Sequence, residues 1–220
     1  VSSDDALERV RAAGVVPVVT LASTEHAIPL CRALLEGGLP VVEITFRAAA
    51  AEEAIYKISD RLPEMCVGAG TLTDIEQAAR AHAAGARFAV APGFNPRVAE
   101  AARSVGLAFW PGVCTPSEIE QALRFELRTL KFFPAEALGG AATVKAMLAP
   151  YLHLGVETIP TGGIDEETAP SYWSLAGVAA VGGSWIAPSK LIESGDWSAI
   201  TERAREAVSA YASTLRGTAS

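Results

Sequence analysis

Short apolar, β-branched runs alternate with Ala/Glu/Arg-rich stretches along almost the whole chain, and that alternation restricts the folds open to it. The runs centre on residues 15–19, 41–46, 66–70, 88–92, 108–111, 130–133, 158–160 and 178–181. Between them, segments such as 25–36, 74–84, 96–105 and 116–125 carry helical spacing. Gly37-Gly38, Gly85, Gly106 and Gly177 stand where a helix wants a left-handed C-terminal residue, and Thr115-Pro116 reads as a cap followed by a first turn. Eight strands separated by helices, with no hairpin turn between them, imply parallel pairing. Their nearly continuous hydrophobicity suits strands covered on both faces. We therefore expect an α/β fold, a (β/α)8 TIM barrel forming a single domain over residues 1–220, with residues 2–13 as an extra amphipathic helix across the barrel bottom. A doubly wound open sheet is the rival that periodicity does not separate from it. The small, polar tail 214–220 is expected to fray.

Lys131 interrupts the apolar run Thr129-Leu130-Lys131-Phe132-Phe133-Pro134. Removing an ammonium from water costs several kcal/mol unless it is paired or loses its proton. The chain uses four lysines against fourteen arginines. Arginine would hold a charge there more reliably, but it cannot form an imine with a ketone. Lysine can, and desolvation favours the free amine that attacks. The plain alternative is an edge-strand lysine with a buried stem and its head in water.

In a barrel, chemistry sits at the C-terminal ends of the strands. Those ends supply Glu43 and Arg47, Thr71, Pro92, Thr115, Lys131, Thr161-Gly162-Gly163 and Gly182-Gly183-Ser184. A period of two puts Glu43, Thr45 and Arg47 on one face. Glu43 and Arg47 would lie about 13 Å apart if extended, separate stations unless the chain bends after Phe46. A carboxyl kept near an apolar core can exchange protons near neutrality; the structural alternative is a buried Glu–Arg pair. Lys131 and Phe133 share a face, setting an aromatic wall beside the amine. The two glycine pairs let backbone N–H groups approach an anion, and a phosphate site after the seventh and eighth strands is frequent in barrels.

The formal charge of −7 argues against a nucleic-acid or anionic-membrane surface. Cys31, Cys66 and Cys114 are odd in number and widely spaced, which suggests buried free thiols rather than a disulfide framework or a zinc site. No apolar stretch approaches the roughly 18 residues of a membrane span. The first residues lack a secretory pattern, so a cytoplasmic location is expected. Gly68-Ala69-Gly70-Thr71 lacks the third glycine of a dinucleotide fingerprint, and no Walker A sequence is present. His26, His82 and His153 fall away from the strand ends and read as surface residues. No cofactor and no metal are expected.

Five segments, taken in order, resemble one family. They are Val42-Glu43-Ile44-Thr45-Phe46-Arg47, Val67-Gly68-Ala69-Gly70-Thr71, Leu130-Lys131-Phe132-Phe133-Pro134-Ala135-Glu136, Pro160-Thr161-Gly162-Gly163-Ile164 and Gly182-Gly183-Ser184-Trp185. Together they resemble the 2-keto-3-deoxy-6-phosphogluconate (KDPG) aldolases, many of which also act on 4-hydroxy-2-oxoglutarate. The resemblance implies a metal-free class I aldolase on a (β/α) barrel, assembled as a homotrimer. It makes Lys131 the Schiff-base lysine and Glu43 the acid/base. It gives Arg47 and Thr71 to the pyruvyl carboxylate, Pro92 and Phe133 to the pocket wall, and Gly162, Gly163, Gly183 and Ser184 to the phosphate. Thr161 joins them among the substrate contacts. The partner implied is a small molecule, pyruvate or a phosphorylated 2-keto-3-deoxy sugar acid. Two departures stand out: Ala48 where a threonine is common, and a long Gly140-Ala141-Ala142-Thr143-Val144-Lys145 run. Two rival readings use the same residues. One is a barrel isomerase or epimerase with Glu43 as base and Lys131 as a clamp; the other is a sugar-phosphate sensor without turnover.

Overall fold

The computed structural model describes residues 3–218. Helix α1 (Ser3–Ala13) leads into β1 (Val15–Val19), α2 (Ala27–Glu36), β2 (Val41–Thr45), α3 (Ala51–Arg61) and β3 (Cys66–Gly70). Then come α4 (Ile75–Ala83), β4 (Phe88–Val90), α5 (Pro96–Ser104), β5 (Ala108–Trp110), β6 (Gly112–Val113), α6 (Pro116–Arg124) and β7 (Thr129–Phe132). The chain closes with α7 (Gly140–Leu148), β8 (Glu157–Pro160), α8 (Ala169–Trp173), β9 (Val181–Gly183), α9 (Ser189–Ser194) and α10 (Trp197–Thr218). Ser2, counted into the first helix, lies outside the described residues.

The strands form a six-stranded sheet in the order β5-β4-β3-β2-β1-β9 and a three-stranded sheet in the order β6-β7-β8. Every strand pair is parallel, as the missing hairpin turns required. Two differences from the sequence expectation mark the seams between the sheets. The run 108–111 ends early because Pro111 has no N–H to give to a ladder. Its carbonyl still accepts from Lys131 N at 2.8 Å, so the interruption between β5 and β6 is short. At the other seam, residues 178–180 do not lie against β1. Ala179 N donates to Thr158 O at 2.9 Å and Val178 bridges Thr158, so this stretch serves β8. Pairing with β1 begins only at Val181, opposite Val15, and Thr161 bridges Gly182 farther along.

Helix faces cover the strands. On α2 the buried residues Ala27, Leu30, Cys31 and Leu34 recur at the spacing of one helical stripe. The left-handed residue after α2 is Gly38 (φ 82°), while Gly37 is right-handed and needed for another reason. A Cβ there would lie 2.5 Å from Ala204 Cβ, so its bareness lets α10 approach α2. The tail expected to fray from Thr214 is instead helical as far as Thr218. Tyr211 anchors this end by donating to Arg11 O at 3.0 Å and packing on Trp173, and Thr214 Oγ1 returns a bond to Ala210 O.

Thr115 takes the cap role read from Thr115-Pro116 and not that of a free strand-end group. Glu118 N donates to Thr115 Oγ1 at 3.3 Å, and Thr115 N donates to Glu118 Oε2 at 2.9 Å, a closed capping box at the start of α6. Its hydroxyl is spent on the helix. Thr115→Ala should therefore lower stability by about 1 kcal/mol in urea unfolding, and Thr115→Ser should restore it; an unaltered midpoint for the alanine variant would contradict the cap.

Candidate active site

Lys131 lies on the middle strand of its sheet, paired with Gly112 on one side and Ile159 on the other. It is therefore no edge lysine, and its side chain is only 8% exposed. The ammonium nitrogen stands 3.3 Å from Glu43 Oε1, on a side chain just 4% exposed. Phe133 offers its ring 5.7 Å from the same nitrogen. Glu43 is placed by β2, held between β1 and β3, and its carboxyl occupies space that Gly70 leaves free. A Cβ on Gly70 would sit 2.1 Å from Glu43 Oε1. The glycines of Gly68-Ala69-Gly70 thus make room for side chains.

One turn farther out, hydroxyls and a guanidinium form a chain. Thr45 Oγ1 and Thr20 Oγ1 are 2.8 Å apart, and Arg47 Nη2 donates to Thr20 Oγ1 at 2.8 Å. Glu43 and Arg47 are separate stations: one faces Lys131, the other Thr20. Arg47 is exposed and, among the described residues, has no carboxylate in ion-pair reach, so an anion could take it. Thr20 escaped the sequence reading because the run 15–19 ends one residue before it. The available signal was a lone hydroxyl closing the first apolar run, at the end where the other strands present polar groups.

Thr71 follows Gly70 with φ 61°, a left-handed backbone costing about 1–3 kcal/mol for a β-branched residue. Pro92 is exposed at the rim and presses its carbonyl carbon on Gly112, whose Cβ would come within 2.3 Å of it; Gly112 is the ladder neighbour of Lys131. The half-buried Phe133 also reaches Gly162, where a Cβ would lie 3.1 Å from the ring. Gly162 and Gly163 are both left-handed (φ 103° and 81°). Thr161 is buried against Gly182, and the bridge between them brings the two glycine pairs side by side. Gly183 is covered by the Trp185 ring, and Ser184 is exposed.

Two readings need correction. Cys114 is partly exposed rather than buried, since β6 is short and the thiol sits beside the α6 cap; burial and Glu118 push its pKa up. His26 is half-buried against Trp197, with ring centroids 5.8 Å apart, whereas His82 and His153 are exposed. Cys31 and Cys66 are buried free thiols, and burial raises Cys66 to about 11. Among the described residues, no three His, Cys, Asp or Glu side chains gather as metal ligands.

Comparison with known proteins adds the decisive observation. The family model described as KDPG and KHG aldolase matches residues 7–203. The chain belongs to this aldolase family. The 2-dehydro-3-deoxy-phosphogluconate aldolase of Treponema pallidum is 47% identical over 197 residues, spanning 90% of this chain and 91% of that one. The KHG/KDPG aldolase of Escherichia coli K12 is 41% identical over 88% of this chain and 90% of its own. Among solved structures, the KDPG aldolase of Legionella pneumophila superposes with a TM-score of 0.87 at 36% identity, covering 91% of this chain and 96% of the other. That crystal structure captures pyruvate at low pH as a covalent carbinolamine intermediate. Membership makes the chain an aldolase, a lyase, rather than an isomerase or epimerase.

The room at Gly70 is open to a direct check. Gly70→Ala should force the Glu43 carboxyl away from Lys131 and lower aldolase turnover on the order of 10²-fold in steady-state kinetics. Unchanged turnover in a folded variant would show that the carboxyl's position is unimportant.

Proposed function

We propose that the chain is a class I aldolase that cleaves KDPG to pyruvate and glyceraldehyde 3-phosphate, and also 4-hydroxy-2-oxoglutarate to pyruvate and glyoxylate. The observation that carries this reading is the buried 3.3 Å contact between Glu43 and Lys131, among the described residues the only lysine on a strand. It is supported by the covalent pyruvate intermediate of the Legionella relative and by the double name of the Escherichia relative.

Neutral Lys131 attacks C2 of the substrate, its proton passing to the Glu43 carboxylate beside it. Glu43 returns that proton to the carbinolamine hydroxyl, which leaves as water and gives a protonated imine. Glu43, again as carboxylate, removes the C4 hydroxyl proton, by way of a water where the gap requires one. The C3–C4 bond breaks, its electron pair moves into the iminium, and the aldehyde leaves. Glu43 returns its proton to C3 of the enamine, and hydrolysis frees pyruvate and the amine. Arg47, held by Thr20, and Thr71 bind the pyruvyl carboxylate. Phe133 and Pro92 wall the pocket. Thr161, Gly162, Gly163, Gly183 and Ser184 hold the phosphate, which orients the substrate far from the reacting bond.

We read the two sheets as one closed (β/α)8 barrel with α1 as the extra helix. The bridges from β8 toward β9 and the run from β5 into β6 across Pro111 support that closure. Arg11 of α1 grips Glu157, the first residue of β8, at 2.7 Å, which fits a helix laid across the barrel bottom. We further place the enzyme in the cytoplasm, where its three free thiols stay reduced, and assign it a homotrimer. Among the described residues no helix is long and apolar enough to cross a membrane.

Pyruvate release from KDPG and from 4-hydroxy-2-oxoglutarate, followed with a coupled dehydrogenase, tests the substrates. Lys131→Ala should abolish both reactions. Glu43→Gln should lower kcat by roughly 10²–10⁴-fold with a smaller change in KM. Wild-type rates in either variant would overturn the assignment.

A further inference from the structure

Glu136 stands five residues beyond the amine, on the chain that leaves β7, and contacts neither Lys131 nor Glu43. Its backbone and side chain turn instead toward the Gly162-Gly163 turn. Ala135 N donates to Thr161 O at 2.8 Å and Glu136 N donates to Gly162 O at 3.0 Å, so two consecutive bonds fasten the turn's entry. The stem then closes on Gly163, where a Cβ would lie 2.7 Å from Glu136 Cβ and 3.1 Å from its Cγ. The carboxylate is itself tied down. The Tyr172 hydroxyl of α8 donates to Glu136 Oε1, and Tyr172 is fully buried. A Cβ on Gly140, the first residue of α7, would come within 3.4 and 3.5 Å of the two carboxylate oxygens. One side chain therefore joins the glycine turn to the start of α7 and to α8. Burial and the neighbouring carboxylate raise the Tyr172 pKa, which keeps its phenol a donor.

We infer that Glu136, anchored by Tyr172, is a positioning residue that sets the shape of the Gly162-Gly163 turn for the phosphate, and so decides how strongly the enzyme prefers phosphorylated substrates. The inference rests on the phosphate reading of that turn. Lys131 needs no such support, because β6 and β8 hold its strand from both sides. The pair thus acts on one end of the substrate and not on the reacting end.

Steady-state kinetics with KDPG and with 4-hydroxy-2-oxoglutarate, which lacks the phosphate, separate the two ends. Tyr172→Phe removes one hydroxyl, and Glu136→Gln keeps the shape while neutralising the anchor. Each should raise KM for KDPG about tenfold, with kcat and the KM for 4-hydroxy-2-oxoglutarate held within about twofold. Ser184→Ala serves as the reference for direct phosphate contact and should show the same selectivity. If Ser184→Ala is selective and the Glu136 and Tyr172 variants are not, the positioning role fails and the phosphate site stands. Equal losses on both substrates would reduce Glu136 to general scaffolding and overturn the inference. If Ser184→Ala is also unselective, the phosphate reading fails and the inference falls with it.

Discussion

A buried amine facing a buried carboxylate, 3.3 Å apart, is the constraint around which the rest of the molecule is arranged. Desolvation penalises both charges, and attraction offsets the penalty only when geometry is good; removing one partner from such a pair costs about 3–5 kcal/mol. The chain meets that demand with rigid parts. Glu43 lies on the sheet between β1 and β3, Lys131 between β6 and β8, and Gly70 supplies the volume that the carboxyl fills. Imine formation needs an amine beside a group that can take its proton, and this pair brings the two together.

Structural ties and the candidate site occupy opposite ends of the strands. Glu157 and Thr129, the first residues of β8 and β7, are tied together at 2.8 Å and clamped by Arg11 of α1. The other ends carry Thr20, Glu43, Arg47, Lys131 and the glycine turns. Thr71 holds strained backbone there, a cost that a scaffold secured at its far end can bear.

Much of this was legible in the chain itself, for definable reasons. Parallel pairing followed from strands alternating with helices, and Lys131 and Glu43 were conspicuous because charge in an apolar run needs a partner or a purpose. Local period could not show where a strand changes neighbours, which is why the run 178–181 gave no sign that its first residues serve β8 and only Val181 begins the pairing with β1. Thr115 was readable both as the cap of α6 and as a strand-end hydroxyl, and the capping box with Glu118 decides for the cap. Thr20 and Glu136 lie just outside their strands, and their importance comes from contacts with Arg47 and Gly163 that are distant in sequence. The family motifs filled some of that gap by quoting residues together that only the fold makes neighbours.

Reduction of the enzyme with borohydride in the presence of pyruvate, followed by peptide mass mapping, tests the central claim most directly. The account predicts one stable pyruvyl adduct per chain, on the peptide containing Lys131, and none when pyruvate is omitted. An unmodified Lys131 peptide, or an adduct located on Lys57, Lys145 or Lys190, would contradict it.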